Sequence, residues 1–381
     1  MSVASGADRR GGADRLGWDD WLDRADKGVA GDGVPRYGGL MLRIVLIMAL
    51  FILLMNGPHG GTALPASFAS ITVSARALPA VPAAEAARFG PLRLLDAWQL
   101  TSPHPAFGGI SSLIADDDGG LTALSDSGET FSFRVAPDGA GVLRPLPRFD
   151  AERDVPKWRW DSESMVRDPA SGRIWVGFEH LQRICRYAPG FARIEGCVSP
   201  PEVRRWPLTG SLEALIRFGD GRFMAIAEMA RHADGAHDVL LWPGDPVDRA
   251  TPPPVRLGYR PPPGYRPTDA LWLGGDRLLV LNRRLTLAQG FTAKLALVRL
   301  PALTAGAQLD AEVVATFAPP GLADNFEALA LSYERRPGSD ERGRGRPILW
   351  LASDNNHLFL QRNLLLRFAL PENWVSDRPV P

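Results

Sequence analysis

One short motif, repeated five times, constrains what this chain can fold into more than any other feature. Gly109-Ile110-Ser111-Ser112-Leu113 is followed by an apolar run closing at Asp126, and Asp161-Ser162-Glu163-Ser164-Met165 by one closing at Glu179. Ser211-Leu212-Glu213-Ala214-Leu215 leads to Glu228, Pro267-Thr268-Asp269-Ala270-Leu271 to Asn282, and Asn325-Phe326-Glu327-Ala328-Leu329 to Asp354. The copies start about 50 to 58 residues apart, a period typical of the blades of a β-propeller.

Each copy carries β-like runs separated by turn residues. In the third they fall at 212–218, 222–228, 238–243 and 254–259, with Gly219-Asp220-Gly221 as a hairpin turn. Four antiparallel strands per repeat make a blade. The expected fold is therefore all-β, a β-propeller of five four-stranded blades, or six if the irregular stretch 143–160 conceals another. The fifth copy has only three runs, so residues 92–100 are expected to supply its outer strand and close the ring. Such closure leaves no unpaired edge.

Around the repeats the chain reads as separate segments. Residues 1–39 are polar, Gly-rich and mixed in charge, the composition of a disordered segment or of a mis-assigned extension ahead of a start at Met41. Residues 40–56 contain twelve uninterrupted apolar positions, 44–55, behind Arg43. That run is shorter than the ~20 residues of a comfortable membrane span and fits a signal-peptide core or an anchor. Residues 57–91 read as an Ala/Pro-rich linker, 92–371 as the propeller domain and 372–381 as a C-terminal tail. The expectation is an exported protein, periplasmic or held at the inner membrane facing the periplasm. Cys185 and Cys197 lie symmetrically about Phe191 with Pro189-Gly190 at the turn. A hairpin would set them face to face, where an exported chain can oxidise them; two buried thiols are the alternative. Formal net charge is zero, which argues against a nucleic-acid partner.

Strand order makes the acids converge. If the first strand of each blade runs down the channel, the second ends where the first began. Glu163, Glu213, Asp269 and Glu327 are then expected near the axis, with Asp126, Glu179, Glu228 and Asp354 as a second ring just outside. Two like charges ~6 Å apart at an effective dielectric near 20 repel by about 3 kcal/mol, so something must offset them. Oxygen donors from several loops suit Ca²⁺, which accepts six to eight with loose geometry. Glu163, Glu213, Asp269, Glu327, Asp126, Glu179 and Asp354 are the candidate metal ligands. Lys157, Arg283, Arg284 and His357 are candidate substrate contacts, with Arg159, His180 and His232 expected on the same rim. Glu213 or Glu228 would act as general base and Arg283 would stabilise charge on a reacting group. The chain lacks Gly-x-Ser-x-Gly and His-Glu-x-x-His, so a serine-esterase or zincin mechanism has no motif to stand on.

The residues 107–113 and 121–128, together with 325–331 and 349–356 and the Glu163 and Glu213 copies, resemble the phytase-like domain family often labelled "esterase-like activity of phytase". The resemblance covers about residues 92–370. It implies an exported propeller that hydrolyses phosphate or other esters. Three functions follow as expectations. The first is a Ca-dependent phosphoric ester hydrolase acting on a small-molecule ester or phosphoester. The second is a non-catalytic periplasmic propeller that binds a ligand or partner, and the third a lactonase-like hydrolase with a central Ca²⁺.

Overall fold

The computed structural model describes residues 68–148, 160–334, 345–358 and 360–376, all within one compact unit, His59–Pro381. The expected leader and anchor at 1–56 lie outside the described residues. Among the described residues no helix is long and apolar enough to cross a membrane.

The described fold is all-β with one short helix, Ala83–Ala86. Two strands, β1 (Ala69–Ala77) and β2 (Arg93–Thr101), precede the first repeat. Each repeat then folds as an antiparallel meander. The first comprises β3 (Ile110–Ala115), β4 (Gly120–Ser125), β5 (Glu129–Arg134) and β6 (Gly139–Pro145). The second comprises β7 (Ser162–Arg167), β8 (Ile174–Phe178), β9 (Arg183–Tyr187) and β10 (Ile194–Val198). The third has β11 (Ala214–Arg217), β12 (Phe223–Arg231), β13 (His237–Trp242) and β14 (Val255–Arg260). The fourth has β15 (Arg266–Gly274), β16 (Arg277–Thr286) and β17 (Gly290–Arg299). A short strand, β18 (Gln308–Asp310), leaves the fourth repeat to run parallel to β14, and β19 (Glu312–Phe317) returns to β17. The fifth has β20 (Phe326–Glu334), β21 (Arg346–Ser353) and β22 (Asn363–Ala369).

The turns follow from their residues. Gly221 adopts φ +91°, a left-handed conformation that a β-branched side chain would strain, and its N–H closes the turn on Phe218 O at 3.0 Å. Asp220 accepts the next amide, from Arg222, at 3.0 Å.

The missing strand of the fifth repeat is β2, paired antiparallel with β22 from Arg93↔Ala369 to Leu100↔Asn363. One element corrects the sequence reading. Residues 57–91 are not all linker, because β1 lies between β2 and β6 and fuses the fifth and first repeats into a nine-stranded sheet. Its alternation explains why: Ile71, Val73 and Ala75 are buried while their neighbours face outward. The C-terminal tail is also partly docked. Trp374 and Val375 pack on the core, and Ser376 N–H donates to Leu273 O at 2.9 Å. Gly274 has no room for a side chain beside Ser376. Of the stretch 143–160, residues 143–145 finish β6 and 149–159 lie outside the described residues.

Five apolar clusters hold the sheets together, each between consecutive repeats. Phe178 and Tyr187 meet Leu124 between the first two, and Trp175 meets Phe223 and Trp242 between the next. Ile226 and Leu257 face Val280 and Val298, and Leu281 and Leu295 face Leu351 and Leu366. The last cluster brings Trp350 and Leu365 of the fifth repeat against Leu113 and Phe131 of the first, with Val73 of β1 among them. Cys185 and Cys197 are directly opposed on β9 and β10 and are bonded.

Val73 has no exposed surface, so Val73→Ala should cost about 2 kcal/mol. Urea unfolding of the full chain checks this; an unchanged midpoint would mean that β1 contributes nothing to the fold.

Candidate carboxylate site

The ends of the inner hairpins gather the acids. Backbone N–H groups of Asp126, Glu179, Met229 and Asp354 donate to the carbonyls of Gly109, Asp161, Gly210 and Asn325, each at 2.8 Å. In these repeats the residue opening the first strand and the residue closing the second are therefore joined at one end. Short polar side chains stitch neighbouring inner strands just below. Ser111 Oγ donates to Ser162 O at 2.6 Å, Ser162 Oγ to Ser125 O at 2.6 Å and Ser164 Oγ to Leu212 O at 2.7 Å.

A β-bulge re-aims the residue at this position in the first, second and fifth repeats. The ladder slips between Ile110 and Ser112, Ser162 and Ser164, and Phe326 and Ala328. The residue left over is Ser111, Glu163 or Glu327, and a bulged residue turns its side chain out of the pleat. The fourth repeat differs by one position: its slip falls between Pro267 and Asp269, so Thr268 is the extra residue. Asp269 stays in the ladder and accepts N–H bonds from Leu329 and Ala270, both at 2.7 Å. This is the role Ser112 plays toward Met165 N–H, at 3.0 Å, in the first repeat. Asp269 was expected among the metal ligands. The structure makes it a tie between the fourth and fifth repeats, and buried as it is, its carboxyl is pushed up to about 8.

The remaining acids lie close enough to perturb one another. Burial first, then the charges of Asp161, Glu213, Glu179 and Glu327, hold the Glu163 carboxyl well above the usual range. Burial and the neighbouring Glu228 and Glu179 do the same to Glu213, with Arg283 opposing. Asp354 is raised by burial and by Glu327 and Asp126. Glu327 is raised by burial against the pull of Arg283. Glu179 is pushed up to about 8 by burial and by Asp161. Asp161 takes the place in the cluster that Asp269 does not fill. Its signal was in the sequence, as the acid that opens the second copy of the motif.

Arg283 is the central cation. Its Nη1 donates to Glu327 Oε1 and to Asn325 Oδ1, the latter at 2.7 Å, and its Nη2 lies 3.1 Å from Glu228 Oε1. Although burial works against its charge, Glu327, Glu228 and Glu213 raise its pKa further and keep it protonated. It was expected to bind substrate; the structure uses its guanidinium as a counter-ion. Arg284 points elsewhere, its guanidinium 4.6 Å from the Tyr265 ring centroid and bonded to Gln289 Oε1 at 2.6 Å. The alternation of β16 sends it to the opposite face from Arg283. His357 does reach the rim. Asn355 Oδ1 accepts from Gly109 N at 3.1 Å and from His357 N at 3.2 Å. A side chain at Gly109 would run into the Asp126 carboxylate and lie 3.1 Å from His357 Nε2. His180 contacts Asp161 and Glu179. His232 instead pairs with Asp238 at 2.9 Å, away from the cluster. Lys157 and Arg159 lie outside the described residues. Asn325, which links Arg283, Glu327 and Asp354, was not singled out in the sequence because amides are ordinary at strand ends.

The chain matches the family model described as "Phytase-like: Esterase-like activity of phytase" over residues 105–357, and it belongs to that family. None of the curated proteins compared with it matches. Among solved structures it is similar to Saccharomyces cerevisiae Sqt1, at 10% identity and TM-score 0.34, with 72% of this chain and 91% of that chain covered. It is likewise similar to the β-propeller domain of Myceliophteria thermophila Cps50 (Swd1), at 10% identity and TM-score 0.34, covering 69% of this chain and 98% of that one.

The raised carboxyls give a signed pH dependence. A carboxyl whose pKa is higher folded than unfolded holds its proton longer in the native state, so stability falls as pH rises through that interval. For Glu179 and Asp269 the interval runs from the ordinary carboxylate range to about 8. With chelator present, the thermal midpoint should drop by about 5–10 °C between pH 5 and pH 8.5. Calorimetric scans across that range check it; a rise would show that the acids are not crowded as described.

Proposed function

We propose that the chain is an exported, calcium-dependent hydrolase of phosphoric esters, built on a five-bladed propeller closed where β2 completes the fifth sheet. Support for the ring comes from five apolar clusters joining successive repeats, the last to the first. The apolar run at 44–55 supports export, and family membership supports ester hydrolysis.

The observation that carries the reading is Glu213. It is 7% exposed and accepts no hydrogen bond and forms no ion pair with any described residue, while Glu228, Glu179 and Glu327 crowd it. Glu163, half-buried, likewise has no hydrogen bond or ion pair among the described residues and is crowded by Asp161 and Glu213. A buried carboxylate left in this state needs a proton or a cation. The donors are hard oxygens from several segments, which fits calcium. Glu163 and Glu213 would hold the ion, with Glu179 and Glu327 among the charges around both. Bound there, calcium would supply the positive charge that polarises a phosphoryl oxygen and acidifies water. Arg283 keeps Glu228 and Glu327 in place. Glu213 and Glu228 are the carboxyls at hand to take a proton, and His357 beside Asp126 is a further polar contact for substrate.

The engagement of Arg283 by Glu228, Glu327 and Asn325 favours a second reading, a propeller that binds a ligand without catalysis, because this guanidinium is then not left over for a phosphoryl group.

Calcium titration calorimetry on the full chain separates the readings. Wild type should bind, Glu213→Gln should lose binding by about two orders of magnitude, and Asp269→Asn should still bind. Glu213→Gln should also raise the calcium-free midpoint at pH 8 by several degrees, since it removes a buried charge. Hydrolysis of p-nitrophenyl phosphate that needs calcium would establish the enzyme. Binding without turnover favours the non-catalytic module, and no binding at millimolar calcium defeats the metal-dependent reading.

A further inference from the structure

Beside the axial carboxylates stands a group of different chemistry. Nδ1 of His180 contacts Asp161 Oδ2 and lies 3.4 Å from Glu179 Oε2. One donor atom from each of the three residues lies within 4.8 Å of the others. Two donors each about 2.1 Å from a tetrahedral ion are about 3.4 Å apart, the separation seen between His180 and Glu179.

The backbone prepares this arrangement. Glu179 N–H is bonded to Asp161 O, which fixes the two acids relative to each other. Gly210 N–H holds Glu179 Oε1, and Ser211 Oγ donates to Glu179 O at 3.1 Å. Gln182 takes a left-handed φ of +47° and anchors the turn through Nε2 to Trp206 O at 2.7 Å. His180 is thus presented between two fixed points. The nearest charges do not relieve the group, because Glu163 faces both Asp161 and Glu179, and Glu213 faces Glu179. His180 Nδ1 is itself shut off from solvent and makes no hydrogen bond of good geometry with the described residues, so a second observation points to a cation.

We propose that Asp161, Glu179 and His180 form a second metal site that takes a first-row divalent ion, zinc foremost, in preference to calcium. An imidazole nitrogen with two carboxylate oxygens suits zinc, whereas calcium seeks six to eight oxygens. Three protein donors leave a fourth position open to water or to a substrate oxygen. The site adjoins the proposed calcium site through Glu179 but has ligands of its own in His180 and Asp161.

The test is a zinc titration of the full chain with calcium held saturating, repeated on His180→Ala, Asp161→Asn and Glu213→Gln. Cobalt substitution gives a second readout, a visible band that reports a nitrogen-containing four-coordinate site. Wild type should take up one zinc. His180→Ala and Asp161→Asn should each weaken it about 10–100-fold and abolish the cobalt band, while both still bind calcium and Glu213→Gln still binds zinc. Absent zinc binding, or affinity unchanged from wild type in both His180→Ala and Asp161→Asn, would overturn the proposal and leave a His–Asp ion pair. Zinc binding lost in Glu213→Gln but kept in His180→Ala would also overturn it, by placing both ions in the axial site. Loss of calcium binding alone, with zinc retained, would defeat the calcium reading and leave this one standing.

Discussion

A single guanidinium stands among carboxylates that the fold forces together. Arg283 bonds to Glu228, Glu327 and Asn325 at once, and Glu213 lies within its field. Without it, Glu213, Glu228 and Glu327 would lose the cation that the cluster sets among them. The arginine occupies the place in the fourth repeat where the others end the second strand in a carboxylate, so the repeat pattern itself delivers the cation to the acids. Among the described residues one positive charge does not balance the group, and Glu163 and Glu213 have no hydrogen-bonding or ion-pair partner. The residual imbalance is the physical reason to expect cations there.

The same repeat supplies the means to withstand that strain. Serine hydroxyls of one repeat bond to carbonyls of its neighbour. Each such bond pairs a buried polar group that would otherwise cost about 1–3 kcal/mol. Apolar clusters between successive sheets add the bulk of the stabilisation. The fold can therefore hold several mutually repelling carboxyls by keeping some of them protonated, which is a less demanding state for a buried acid than ionisation.

Much of this was legible in the sequence. The hairpins, the borrowed strand from 93–101, the facing cysteines and the common rim all follow from the spacing of the motif, because strand alternation and antiparallel pairing leave few alternatives. What the sequence concealed were shifts of one residue. Asp269 aligns with Glu163, Glu213 and Glu327, yet moving the bulge to Thr268 turns it from a rim acid into a structural tie. Arg283 and Arg284 are adjacent and chemically alike, and only the phase of β16 decides which one meets the acids. β1 was hidden for another reason. Its Ile71-Thr72-Val73 alternation is short and embedded in Ala- and Pro-rich sequence, and its partners β2 and β6 belong to different repeats.

The difference between Asp269 and Glu213 shows how one motif can yield both structure and chemistry. Both carboxyls are almost fully buried, and both have pKa values raised by burial. Asp269 receives two backbone N–H groups at 2.7 Å, one on each oxygen, so its burial is compensated. Glu213 receives none, so its capacity to accept a proton or ligate a cation is intact. Burial or a raised pKa alone therefore does not distinguish a working carboxylate from a scaffold one. The presence or absence of donors does: Asp269 sits in the ladder within reach of two amides, whereas Glu213 lies just ahead of its strand.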